Sequence, residues 1–162
     1  MESSKGGARN RRTFASVRAM SKVLIIGAGV SGLCAAVYLQ RAGIPFTIVE
    51  KSGEVGGVWR DNHYPGAGVD TPNHLYSYSF SSFDWTKFFV LRDELVAYLR
   101  QVADEFGLTE QIRFGTNVEE LAYDESDQRW NVRVRTTDGE ERTLRPNVCG
   151  RWDPIRSRHA HG

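Results

Sequence analysis

The first clear hydrophobic pattern is the run Lys22–Ile26 (KVLII), which breaks at once into glycine. A short, continuous, β-branched run reads as a buried strand of a parallel sheet. From Ser31 to Ala42 the apolar residues Leu33, Ala36, Val37 and Leu39 recur at helical spacing, and Gly43 supplies a stop. Pro45–Glu50 (PFTIVE) repeats the strand pattern. Strand, turn, helix and strand within about thirty residues make the size of a βαβ unit.

Periodicity is then lost. Lys51–Phe89 is rich in Gly, Pro, Asn, Asp and aromatic residues. It reads as a long structured loop with short turns, a kind of loop that is usually functional. Asp93–Phe106 regains helical spacing, with Leu95, Val96, Leu99, Val102, Ala103 and Phe106 on one face. Asp93 is expected to cap its start and Gly107 its end. Gln111–Phe114, Val118–Tyr123, Trp130–Thr136 and Arg142–Leu144 are strand-like and predict a small antiparallel meander. Asp138-Gly139 marks its hairpin turn. Residues 145–162 (RPNVCGRWDPIRSRHAHG) show neither alternation nor an apolar run and read as irregular.

Composition narrows the classes. The chain has 162 residues, room for one domain. Its 21 basic and 20 acidic residues nearly cancel, which gives no general attraction to nucleic acid. No apolar run approaches the roughly 20 residues of a membrane span. Cys34 and Cys149 form no C-x-x-C pair, and His63 and His74 lack ligand-like spacing, so no metal site is expected. Cys34 reads as a small buried helix residue. Residues 1–21 are Ser-, Gly- and Arg-rich with Glu2 as their one acid, and read as a disordered basic tail or an early start ahead of Met20.

The glycine turn carries the chemistry. Gly27 permits a tight turn out of the first strand. Gly29 lets a pyrophosphate approach the backbone, and Gly32 lets helix and strand pack closely. The helix N-terminus, with Ser31 in its first turn, offers free N–H groups and a positive dipole end to phosphate. Glu50 ends the second strand, where a carboxylate can accept ribose hydroxyls and repel a 2′-phosphate. The spacing alone does not separate FAD from NAD.

The next segment is more specific. Gly56-Gly57-Val58-Trp59 resembles the G-G-x-W segment of class B flavoprotein monooxygenases. Tyr64-Pro65-Gly66-Ala67-Gly68-Val69-Asp70 resembles the Y-P-G-x-x-x-D segment of Baeyer–Villiger monooxygenases, and Thr71–Phe80 extends the likeness toward the hydroxyacetophenone branch. The resemblance covers Lys22 to Leu144. It implies an α/β, Rossmann-like FAD-binding domain with a parallel sheet and a small antiparallel meander. It also implies a cytoplasmic enzyme that uses FAD, NADPH and O₂ to oxygenate a ketone, amine or sulfide. By the same resemblance Gly57, Val58, Trp59 and Tyr76 lie by the FAD. The backbone of Val118 lies by its adenine. Gly68 and Val69 border the nicotinamide, and Asp70, the candidate catalytic residue, sits at the reacting end of the flavin and helps position an arginine. Trp59 and Asp70 also have plainer readings, as a core residue and a turn residue.

The family continues with an NADPH domain that has its own glycine turn and a linking F-x-G-x-x-x-H-x-x-x-W fingerprint. Neither is present in this sequence. It also returns to the main sheet through an apolar strand, where this chain reads Arg145-Pro146-Asn147-Val148-Cys149-Gly150. The expectation is therefore a truncated domain over 22–144 with an out-of-frame tail over 145–162, leaving the first strand with an unpaired edge. Two other readings stay open: an inactive nucleotide-binding module, and another FAD-dependent oxidoreductase.

Overall fold

The computed structural model describes residues 23–151. The basic tail at 1–21 and most of the expected tail, 152–162, lie outside them.

Strand β1 (Val23–Ile26) leads into helix α1 (Val30–Arg41), which returns the chain to strand β2 (Phe46–Val49). β1 and β2 pair in parallel, Val23 opposite Phe46 and Ile26 opposite Val49. The helix packs Leu33, Ala36 and Val37 onto the sheet with no exposed surface. It ends in a Schellman closure: Gly43 donates to Gln40 O, Ile44 donates to Leu39 O, and Gly43 takes φ +66°. The βαβ-like start is thus as the pattern predicted, with α1 beginning one residue earlier.

The long loop holds two single-turn helices, α2 (Val58–Asp61) and α3 (Asn73–Tyr76), before helix α4 (Arg92–Glu105). α4 buries Leu95, Val96, Tyr98, Leu99, Val102 and Ala103. Leu91 stands at its N-cap, and Asp93 lies in the first turn without capping it. Glu94 instead accepts from the N–H and hydroxyl of Thr86, which draws the preceding loop onto the helix. Gly107 terminates α4 with φ +62° as expected. Tyr78, Phe80, Phe83 and Trp85 pack onto the main core, whereas Phe88 and Phe89 stay exposed.

A 3₁₀ turn leads to strand β3 (Ile112–Arg113). β3 pairs in parallel with β2, Ile48 opposite Ile112, and so belongs to the main sheet and not to the meander. At two residues it is too short for an alternation that would set it apart from the strands that follow. The meander itself is β4 (Thr116–Asp124), β5 (Arg129–Thr136) and β6 (Glu141–Leu144), antiparallel throughout. Gly139 takes φ +87° in its hairpin.

The expectation of an irregular stretch from 145 fails at strand β7 (Val148–Arg151). β7 pairs in parallel with β1, Val23 opposite Val148 and Ile26 opposite Arg151, giving the order β3-β2-β1-β7. The β1 edge expected to lie bare is therefore covered. An edge strand needs backbone pairing more than an apolar run. Val148 is 53% exposed, and Cys149 packs partly against the second core cluster of Leu24, Val49, Val132 and Val134.

Candidate dinucleotide-binding site

The site lies at the carboxyl ends of β1 and β2, where open parallel sheets bind ligands. Gly27 leaves β1 with φ +95° and donates its N–H to Val49 O at 2.8 Å. A Cβ on Gly32 would sit 1.9 Å from Gly27 O, so the turn folds directly onto the first turn of α1. α1 has no side-chain cap and no acid in that turn. Its first tied amide outside the helix ladder is Leu33, bonded to Gly29 O. The amides ahead of it have no acceptor within the helix, and exposed Ser31 stands among them.

Gly29 does something further. A Cβ there would meet Gly57 Cα at 3.3 Å, and a Cβ on Gly57 would meet Gly29 Cα at 2.9 Å. Gly56 N–H donates to Ala28 O at 3.0 Å. The two glycine segments, 28 residues apart, therefore pack backbone against backbone. Both Gly56, at φ +132°, and Gly57, at +55°, adopt conformations that L side chains resist.

Glu50 is only 4% exposed. Its Oε2 accepts from Ala28 N–H at 2.7 Å and its Oε1 from Ser52 N–H at 2.8 Å. The carboxylate thus ties the glycine turn to the loop after β2, while each oxygen keeps acceptor capacity for a hydroxyl. The Glu50 carbonyl accepts from Thr116 N–H at 2.8 Å, which seats the start of β4 beside it. Val118 follows on β4, half-buried, at a register shift in the β4–β5 ladder.

Trp59 and Tyr76 are brought together. The indole N–H donates to the phenol oxygen at 2.6 Å, with the rings edge to face at 5.7 Å. Trp59 also packs partly on the main core, as its plainer reading expects. Val58 is exposed. Gly68 forms an isolated bridge with Leu91, and Val69 N–H donates to Val90 O at 3.1 Å. A Cβ on Gly68 would lie 2.6 Å from Val90 O, so glycine is required by close backbone approach. Asp70 is exposed just beyond this bridge, with no partner among the described residues.

Several positions escaped the sequence reading. Ser52 receives an Arg60 Nη1 hydrogen bond at 2.9 Å while its own N–H reaches Glu50. Arg92 donates to the Trp59 and Arg60 carbonyls. Tyr78 gives its hydroxyl to Val30 O at the start of α1, and burial pushes that phenol well above its usual range. The Arg100 hydrogen bond, then the charges of Arg100, Arg60 and Arg92, hold the Glu54 carboxyl below the usual range. None of these belongs to a sequence motif. Cys34 is half-buried, and burial raises its thiol pKa. An open groove lined by Gln40, Ile44, Phe46 and Gln111 lies at the opposite, amino end of β2. Among the described residues no cluster of His, Cys, Asp or Glu could hold a metal, and no helix is long and apolar enough to cross a membrane.

A backbone cradle at a helix N-terminus, a buried carboxylate beside it and an indole on the adjoining loop suit a dinucleotide with an aromatic end. Known proteins agree. Residues 25–90 match the NAD(P)-binding Rossmann-like domain, and residues 71–149 match the L-lysine 6-monooxygenase/L-ornithine 5-monooxygenase family. An uncharacterised monooxygenase of Sinorhizobium fredii is 50% identical over 127 residues, covering 78% of this chain and 19% of that protein. A Baeyer–Villiger monooxygenase of Streptomyces coelicolor is 46% identical over 113 residues, covering 68% and 22%. The structure of the enzyme OTEMO in complex with FAD and NADP superposes with a TM-score of 0.73 at 27% identity, over 81% of this chain and 25% of that one. The chain spans about a fifth of the length of the curated relatives it matches. By sequence and fold together, the chain is similar to a part of the Baeyer–Villiger monooxygenases and of other monooxygenases.

Proposed function

We propose that residues 22–144, extended through β7, form the FAD-binding unit of an NADPH- and O₂-dependent monooxygenase acting on a ketone, amine or sulfide in the cytoplasm. The observation that carries this reading is the mutual packing of Gly29 and Gly57, with Glu50 clamped between the turn and the next loop. It builds one continuous backbone cradle from both glycine segments.

In this reading the α1 N-terminus binds the pyrophosphate, and the remaining acceptor capacity of Glu50 takes a ribose hydroxyl. Val118 borders the adenine. Gly57, Val58 and Trp59 line the path toward the ring system, with Tyr76 fixing the indole through its hydrogen bond. Gly68 and Val69, held by Val90 and Leu91, form the rim on which NADPH would lie, and Asp70 presents its carboxylate there. When bound, FAD supplies hydride acceptance and O₂ chemistry, while the protein binds, orients and excludes water.

The exposure of Asp70, to which no cationic side chain among the described residues is brought, favours a second reading: a nucleotide-binding module without turnover. The absorption spectrum of the purified 162-residue chain and its NADPH consumption separate the two. A flavin spectrum is expected in either case. NADPH consumption that rises with added ketone or sulfide supports the monooxygenase reading, and a flavin-loaded protein that leaves NADPH untouched supports the module. A colourless protein that takes up no added FAD contradicts both.

A further inference from the structure

Arg92 is the first residue of α4, and its side chain is only 21% exposed. It meets both loops that carry the ring-side candidates. Its Nε donates to Trp59 O at 2.8 Å and its Nη2 to Arg60 O at 3.2 Å, two carbonyls of α2. A single-turn helix has no intrahelical donors for these groups, so the guanidinium closes its carboxyl end. The backbone N–H of the same residue donates to Ala67 O at 2.9 Å, on the loop that leads to Gly68 and Val69. The remaining Nη1 pairs with Asp93 at 2.6 Å. A planar guanidinium can hold two adjacent carbonyls at once, whereas a lysine ammonium lacks that fork.

We propose that Arg92 is a positioning residue for the ring-side half of the cofactor site. It locks the 57–61 segment and the 67–69 segment in register with each other while touching no part of the Gly27–Gly32 turn. The inference rests on the FAD reading above, and it predicts that the two halves of the site respond differently to one substitution.

The test compares the intact 162-residue chain with Arg92→Ala and Arg92→Lys. FAD and ADP serve as probes, because ADP occupies the glycine-turn half alone. Arg92→Ala is expected to weaken FAD at least tenfold and to leave ADP within twofold. Arg92→Lys is expected to recover the FAD loss only in part. Amide hydrogen exchange of the ligand-free chain is expected to quicken over 56–70 and to stay unchanged over α1. Equal losses of FAD and ADP, or an unchanged FAD affinity, would overturn the proposal as a merely structural arginine or a bystander. If the unsubstituted chain binds neither probe, the dinucleotide reading fails. The exchange pattern then still decides the clamp: quickening confined to 56–70 supports it, and quickening that spreads into α1 or is absent overturns it.

Discussion

Gly32 has no room for a side chain, whereas Gly29 has a little. A methyl at Gly32 would lie 1.9 Å from a carbonyl oxygen, and one at Gly29 would lie 3.3 Å from Gly57 Cα. Overpacking typically costs about 1–3 kcal/mol, or several degrees of melting temperature in a domain this size. Gly32→Ala is therefore expected to lower the melting temperature by at least about 5 °C. Gly29→Ala is expected to cost less stability but to weaken FAD at least tenfold, since it wedges the two glycine segments apart. Thermal melts paired with FAD titrations check both, and normal FAD affinity in Gly29→Ala would contradict the cradle. Glu50→Gln keeps the shape but turns one acceptor into a donor facing a backbone N–H. Loss of one charge-assisted bond costs about 1.5–3 kcal/mol, which the same melts would read. At this scale the sequence exposed which residues matter, because Gly27, Gly29, Gly32 and Glu50 follow the spacing of a known turn. It did not expose why Gly29 is needed twice, because its contact lies 28 residues away. Nor did it expose that Glu50 already holds two amides.

Elements were legible where periodicity was strong. α1, α4 and the β4–β6 meander follow directly from spacing and turn residues. β3 and β7 escape a pattern reading for a shared reason: each is short, β3 with a single core residue in Ile112 and β7 with no apolar run, and it is backbone pairing with β2 and β1 that places them in the main sheet. β7 covers the edge of β1 with a half-exposed strand, a role that Val148, Cys149 and Gly150 can fill without an apolar run. A chain ending at Asn147 should bare that edge, melt lower and scatter light on standing. Equal stability and clarity would mean that β7 adds nothing to the sheet. The start of α4 was misread because Asp93 looked like a cap, while Glu94 and Arg92 do the tethering. Glu54 offers a pH test of the loop after β2. Its carboxyl is held below the usual range by Arg100 and the neighbouring arginines, so its stabilising pairing is fully present above the ordinary carboxylate pKa. That pairing is lost as pH falls through the lowered folded value. Amide exchange over 51–61 should quicken in that acid range, and Arg100→Ala should move the onset to higher pH.

At the scale of the whole molecule, two core clusters meet across the main sheet. Ile25 and Ile48 face the helices, and Leu24 and Val49 face the meander. This fixes both faces of β1 and β2 and so the height at which the glycine turn and Glu50 emerge. The relatives are several times longer than this chain. The central claim is accordingly one of binding: this fold holds one FAD across the paired glycine segments. Titration of FAD into the purified 162-residue chain, followed by flavin fluorescence, tests it most directly. The account predicts saturation at one FAD per chain and full displacement by excess ADP, which competes for the Gly27–Gly32 turn. Absence of saturable binding, or saturable binding that ADP does not displace, would contradict it.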